Sequence, residues 1–142
     1  MEAQVYHVWF ATRKRKWLLQ GDVEQAIESL LRKAAEDKGI RLLAQGTMVD
    51  HVHLLLELGQ EEDLGKVMHL LKGLTARQVF QQFPELHLDA GLGHFWQRRY
   101  GHKLVPREAV KEVTAYIETQ QARVDKYDRP AHQRNATPFR VW

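Results

Sequence analysis

The sequence contains no cysteine among its 142 residues. This absence excludes disulfide bonds, thiol catalysis and zinc held by cysteine, and it suits a reducing compartment. Any bound metal ion would have to be held by histidine, carboxylate, amide or water ligands.

Long apolar runs are also missing, since nowhere do about 18 consecutive apolar residues occur. The chain leads directly into AQVYHVWF, without the basic region and apolar stretch of a signal peptide. No Walker-type or dinucleotide-binding glycine pattern is present. We therefore expect a cytoplasmic protein that has no membrane segment and uses no nucleotide cofactor.

The formal charge is only +3, from 21 basic and 18 acidic residues, but the basic side chains are unevenly placed. They form the clusters RKRK and QRRYGHK. Such clusters suit a phosphate-rich partner such as a nucleic acid, although a solvated loop has the same composition. The candidate DNA-binding residues are Arg13, Lys14, Arg15, Lys16, Arg98, Arg99 and Lys103.

The apolar periodicity predicts three helices. The first has Asp22 as its N-cap and is closed by Gly39, with apolar residues at helical spacing between them. The second is expected over residues 63–83, where Pro84 stops it, and a loop should follow. The third is expected over residues 107–124.

Four segments have the β-branched, aromatic or alternating character of strands. They cover residues 5–12, 40–48, 51–58 and 95–105, and Pro106 marks the end of the last. The link between the second and third segments is so short that an antiparallel hairpin is the economical arrangement.

The order β-α-β-β-α-β-α predicts an α+β fold, a ferredoxin-like or RRM-like antiparallel sheet with helices on one face. The opposite face is then open for a ligand. The length fits a single domain. We expect this domain to cover residues 1–127, followed by a C-terminal tail at 128–142 that has prolines and no periodicity.

The segment TMVDHVHLLLEL places two histidines one residue apart inside a strand. Side chains alternate between the faces of a strand, so His51 and His53 project together, roughly 7 Å apart at Cα. The opposite face takes Val52, Leu54, Leu56 and Leu58, which pack on the helices. Two imidazoles held in this way could share a metal ion, but core or edge histidines look the same in sequence and a site needs a third ligand.

The third helix offers two polar groups beside its apolar stripe of Val110, Val113 and Ile117. Tyr116 and Gln120 are one turn apart on the same flank of that stripe, where a side chain is held firmly yet reaches a cleft. Taken singly, they could equally be a half-buried aromatic and a surface amide.

Together these groups meet the needs of phosphodiester transfer, which requires a nucleophile, a divalent cation and ligands that hold the cation. Tyr116 could be the nucleophile. The amide oxygen of Gln120 could join His51 and His53 as the third ligand. Two nitrogens and one oxygen, completed by water, would accept Mg²⁺ or Mn²⁺.

The segments MVDHVHLLLEL and AYIETQ closely resemble the HUH single-tyrosine transposases, which include the small insertion-sequence enzymes and their REP-associated relatives. The likeness extends to YHVWFAT, GHFWQRRY and the order of elements. It implies that His51, His53 and Gln120 bind the metal, and that Tyr116 forms a 5′-phosphotyrosine link to single-stranded DNA. Val49 departs from the pattern, because a proline is common there in the family.

The resemblance also implies the partners. The substrate would be a single strand folded into a hairpin near the end of the element, with unpaired bases stacked on Trp96 or Tyr100. The protein would be a homodimer whose sheets join, and the candidate joining edge is FWQRRYGHK.

Two other classes remain open at this stage. A ferredoxin-like sheet with aromatic residues could be an RNA- or single-stranded-DNA-binding module that needs neither metal nor Tyr116. Alternatively, the histidines could hold a metal ion in a small hydrolase that uses water as nucleophile and leaves no protein–DNA adduct.

Overall fold

The computed structural model describes residues 3–88 and 94–119, and within them four strands and four α-helices follow the chain. Short 3₁₀ turns at Arg13–Arg15 and Arg107–Ala109 lie in the connections. The elements are β1 (Gln4–Ala11), α1 (Gly21–Asp37), β2 (Arg41–Thr47), β3 (His51–Leu58), α2 (Leu64–Gln82), α3 (Pro84–Leu88), β4 (Gly101–Val105) and α4 (Val110–Glu118).

The four strands form one antiparallel sheet in the order β2-β3-β1-β4. The predicted hairpin of β2 and β3 is confirmed, with one irregularity in its register between Leu42 and Ala44. Strand β3 lies inside the sheet, and every one of its residues is buried. The predicted α+β class with an antiparallel sheet is confirmed.

Helices α1 and α2 cover one face of the sheet, as predicted. In β1 and β3 the residues on this face are the even-numbered ones. Val8, Phe10 and Leu54 among them are buried together with Leu31 of α1 and Met68 of α2. The alternation of apolar side chains along β1 and β3 determines which face of each strand packs on the helices.

Helix α4 packs on the second face, so that face is only partly open. Its apolar stripe inserts Ile117, which is fully buried, against Leu55 of β3 and Val105 of β4. A charged contact holds the beginning of the helix, because Arg107 donates to Glu57 of β3 across 2.6 Å. The end of α4 is seated closely on β2, where a Cβ at Gly46 would collide with the carbonyl oxygen of Ile117.

Three boundary predictions are wrong. Gln20 occupies the N-cap of α1, and Asp22 lies in the first turn, where a carboxylate still complements the helix dipole. Pro84 begins the short helix α3 where a loop was expected, because proline is well tolerated in a first helical turn. The fourth strand covers Gly101–Val105 only, and before it a single bridge joins Trp96 to Thr12.

The buried Lys72 of α2 holds the segment that was expected to begin this strand. Its ammonium group donates to the backbone carbonyl oxygens of Gln97, Arg98 and Arg99 at 2.6, 3.1 and 3.2 Å. The pKa of Lys72 falls to about 8 because of burial. These carbonyls therefore bond to a side chain and not to a neighbouring strand, which places Arg98 and Arg99 at the surface.

We predict that Lys72→Met lowers the free energy of unfolding by about 1–3 kcal/mol, because the carbonyl groups lose their donor. Urea unfolding followed by circular dichroism measures the change. Lys66→Met is the matched control: Lys66 is exposed on the same helix, and we expect a change below about 0.5 kcal/mol. Equal effects of the two substitutions would contradict the anchoring role of Lys72.

Candidate active site

His51 and His53 lie side by side on the second face of the sheet. Their cross-strand partners are Ala11 and Trp9 of β1, and their ring centroids are 5.0 Å apart. Each residue is only 7% exposed. The two imidazoles are thus held by the central strand of a buried sheet, close enough to act on one ligand.

The ring of His51 is oriented by the preceding residue. Asp50 is 1% exposed, and one oxygen of its carboxylate lies 2.8 Å from Nδ1 of His51. Its other oxygen accepts from Nε of Arg15 at 3.2 Å. A carboxylate on Nδ1 favours the tautomer that presents an unprotonated Nε2, the arrangement that metal-binding histidines commonly have.

A third histidine, which sequence reasoning missed, occupies the same face. His7 of β1 places its Nε2 2.9 Å from Nδ1 of His53. The alternation of side chains along β1 could have indicated it. Val8 and Phe10 face the helices, so His7 must lie on the opposite face. What the sequence did not supply was the position of β1 directly beside β3.

The pKa values of two of these imidazoles, those of His53 and His7, are lowered. Burial, and after it the nearby rings of His51 and His7, lowers the pKa of His53 to about 3. Burial and the charge of Lys103 lower the pKa of His7 below its ordinary value. Neutral imidazole is the form that coordinates a metal ion, so the surroundings favour ligands over cations.

Tyr116 of α4 reaches this cluster within the same chain. Its ring centroid lies 6.4 Å from that of His53 and 6.5 Å from that of His7. Its neighbour Ile117 is fully buried, whereas Tyr116 is 42% exposed. The apolar stripe therefore fixes the helix while the phenol on its flank stays accessible.

A cavity of about 440 Å³ opens between the sheet and α4 at this point. Lys103 of the edge strand β4 brings a positive charge to it. A strand of nucleic acid entering here would meet both the imidazoles and the phenol. The residues that line it include His7, Trp9, His53, Lys103, Val113 and Tyr116.

Gln120, the predicted third ligand, lies outside the described residues, and so does Tyr127, which would share the flank of Tyr116 if the third helix extended that far. Within residues 3–88 and 94–119, no group of three histidine, cysteine or carboxylate residues could hold a metal ion. The third ligand predicted from the sequence, Gln120, is an amide and not one of those residue types. It also lies outside the described residues. The donors that are described, two imidazoles whose Nδ1 atoms are engaged in hydrogen bonds, fit such an ion.

The predicted DNA-binding residues fall into distinct groups. Lys14, Arg98, Arg99 and Lys103 are exposed, and Arg13 and Lys16 are partly buried. Arg15 differs, because its side chain is largely buried against Asp50.

Of the two aromatics predicted to stack on bases, Trp96 is buried and donates its indole N–H to Thr75, so its stacking role is wrong. Tyr100 is partly exposed and remains a candidate.

Crossing a bilayer requires a long apolar helix, and none of the helices in the described part of the chain has both properties.

Comparison with known proteins gives a consistent result. The family described as "Transposase IS200 like" matches residues 1–120. The transposase for insertion sequence element IS200 of Salmonella typhimurium is 32% identical over 115 residues, which cover 81% of this chain and 75% of that protein. ISDra2 transposase TnpA of Deinococcus radiodurans is 30% identical, covering 81% and 82%.

Solved structures share the fold. The crystal structure of a candidate transposase from Deinococcus radiodurans R1 superposes with a TM-score of 0.70 at 30% identity, covering 85% of this chain and 93% of that one. A REP-associated tyrosine transposase bound to a REP hairpin gives a TM-score of 0.60 at 16% identity, covering 82% and 66%.

Proposed function

Because the chain belongs to the IS200-like transposase family, we propose that it cleaves and rejoins single-stranded DNA through a covalent link to Tyr116. The chain is a transposase of that family, and the proposal concerns its chemistry. The observation that carries it is the placement of an exposed phenol next to the buried His53, which shares one face of the sheet with the buried His51.

In the proposed reaction, the phenol oxygen of Tyr116 attacks the scissile phosphorus. A bond forms between that oxygen and phosphorus, the bond to the 3′ oxygen breaks, and the departing strand ends in a 3′-OH after taking up a proton. The phenol proton passes to solvent. The phosphotyrosine conserves the energy of the ester, so attack by another 3′-OH rejoins DNA without ATP.

The histidines would hold Mg²⁺ or Mn²⁺ together with Gln120. Such an ion polarises a non-bridging phosphate oxygen and stabilises charge that develops in the transition state. Asp50 holds the ring of His51 for this purpose, and the buried β3 backbone fixes the spacing of His51 and His53. The low pKa of His53 keeps its nitrogen available for coordination near neutral pH.

We propose single-stranded DNA that carries a hairpin as the substrate. One structural neighbour is described as bound to a REP hairpin, and the present chain shares its fold. The exposed side chains of Arg98, Arg99 and Lys103 would contact phosphates near the cavity. Strand β4 lies at an edge of the sheet, where pairing with a second copy would form the homodimer.

We predict that DNA binding weakens steeply with salt. For about four phosphate contacts, affinity should fall roughly 10–100-fold between about 50 and 200 mM salt, because bound cations are released from the DNA. Fluorescence anisotropy with a labelled hairpin measures the slope. Arg99→Gln should reduce it, whereas Lys38→Gln, an exposed lysine that closes α1, should not. A flat response in the unmodified protein would reject the basic clusters as the DNA contact.

The deciding experiment is a search for a protein–DNA adduct that survives SDS. The chain is incubated with a labelled hairpin oligonucleotide and Mn²⁺, and the products are separated on a denaturing gel. A slow-migrating labelled protein supports the proposal. Cleavage without an adduct would identify a hydrolase, and binding without cleavage would identify a plain nucleic-acid-binding module.

A further inference from the structure

His7 is the polar group of this site to which the chemistry above assigns no task. It lies on β1, one strand away from the histidine pair, and is partly buried. Its ring stands 5.0 Å from that of His53, tilted by 35°, and Nε2 of His7 is 2.9 Å from Nδ1 of His53. The ring of Trp9 also contacts the His7 ring, with 5.0 Å between centroids and an interplanar angle of 62°.

We propose that His7 is a positioning residue that orients the His53 ring and fixes its tautomer for metal coordination. The inference rests on the metal site of the proposed function. It assigns to a neutral imidazole the role that a carboxylate usually has beside a metal-binding histidine.

The hydrogen bond between His7 and His53 limits where the protons of the two rings can lie. Two nitrogens 2.9 Å apart must share one proton, so one ring donates and the other accepts. If His53 donates from Nδ1, its Nε2 is unprotonated and can bind a cation. If His7 donates instead, the neutral His53 ring must carry its proton on Nε2, and coordination through that atom is lost.

The first arrangement is the one that matches the neighbouring ligand. Asp50 can only accept when it is ionised, so His51 carries its proton on Nδ1. The two histidines are then alike: each donates from Nδ1 to an acceptor, and each keeps Nε2 unprotonated. The acceptor is held in place by the sheet, because His7 and His53 lie on adjacent strands and on one face.

Three substitutions test the role of His7. His7→Gln keeps a carbonyl oxygen near the position of Nε2, and His7→Asn is too short to reach it. His7→Leu removes the acceptor while filling similar space. His102→Leu is the control, since His102 is exposed on β4 and faces the helix-covered side as the partner of Val8.

The first readout is Mn²⁺ affinity, measured by electron paramagnetic resonance on the full chain without DNA. We expect His7→Leu and His7→Asn to bind Mn²⁺ about 10–100-fold more weakly, the usual effect of losing such a partner. His7→Gln should stay within about threefold of the unmodified protein, as should His102→Leu. Unchanged affinity in His7→Leu would overturn the proposal.

The second readout is the tautomer of His53, obtained from ¹⁵N chemical shifts of the metal-free protein near neutral pH. The proton should lie on Nδ1 in the unmodified chain and in His7→Gln, and should move substantially to Nε2 in His7→Leu. A proton on Nε2 in the unmodified chain would overturn the proposal, even if metal affinity changed. A His7→Leu protein in which the His53 proton stays on Nδ1 would also overturn the proposal, even if that protein bound Mn²⁺ more weakly.

The failure of this inference is distinguishable from failure of the proposed function. If the unmodified chain binds Mn²⁺, His53→Ala abolishes binding and His7→Leu has no effect, the metal site stands and His7 has no positioning role. If neither the unmodified chain nor its variants bind Mn²⁺, both the metal site and the role of His7 are rejected.

Discussion

Replacing Tyr116 with phenylalanine should abolish the covalent protein–DNA adduct. The substitution removes the phenol oxygen and nothing else, so adduct formation should fall by more than about 10⁴-fold, as expected when a nucleophile is deleted. The side chain is 42% exposed and its neighbour Ile117 carries the packing. Unfolding free energy and hairpin affinity should therefore change little, by less than about 1 kcal/mol.

Tyr127→Phe is the control for this experiment. Tyr127 lies outside the described residues, and if α4 continued it would fall on the same flank as Tyr116. Loss of the adduct in Tyr127→Phe, with normal yield in Tyr116→Phe, would reassign the nucleophile. Loss in both would require mass spectrometry of the adduct to locate the modified tyrosine.

Replacing His51 or His53 with alanine should remove metal-dependent cleavage. Each change deletes one of two adjacent donors on β3, and cleavage should fall by more than about 100-fold. Cleavage of a labelled oligonucleotide is measured with Mg²⁺, with Mn²⁺ and with excess chelator. His69→Ala, an exposed histidine of α2, should cleave normally.

Chelator gives the sharpest contrast in that assay. The unmodified chain should be inactive in chelator and recover when Mn²⁺ is added in excess, whereas the His51 and His53 variants should not recover. Full activity in chelator would contradict the metal role altogether. The Tyr116→Phe protein should still bind Mn²⁺, so the two experiments separate the nucleophile from its cofactor.

The histidine strand was predictable because its alternation is strict. Val52, Leu54, Leu56 and Leu58 occupy one parity and the two histidines the other, so the faces of β3 could be assigned without knowing its neighbours. Tyr116 was placed on the flank of α4 by the same kind of reasoning. In both cases the period of the element, which is a local property, determined which side chains share a face.

The errors arose where tertiary contacts override local pattern. Residues 95–100 alternate like a strand, but Lys72 engages the carbonyl oxygens that a strand would offer to its neighbour. A lysine between apolar helix residues looks like a surface position in sequence. The pairing of Arg15 was hidden for a similar reason, because the buried carboxylate that binds it lies 35 residues away in the chain.

His7 was missed because strand order is not a local property. Its own strand was predicted but the faces of that strand were not assigned, and the contact with His53 depends on β1 lying beside β3 in the sheet. Sequence reasoning had sought the third polar partner of the histidines on the last helix alone.

The close packing of α4 on Gly46 bears on whether a copy of such a transposase remains active. Alanine at this position adds only a methyl group. That methyl group would clash with the carbonyl oxygen of Ile117, displace the end of α4 and move the neighbouring phenol away from the imidazoles. A copy with every motif intact could therefore be silent. Surveys that score such elements as active by their histidines and tyrosine alone would count it wrongly.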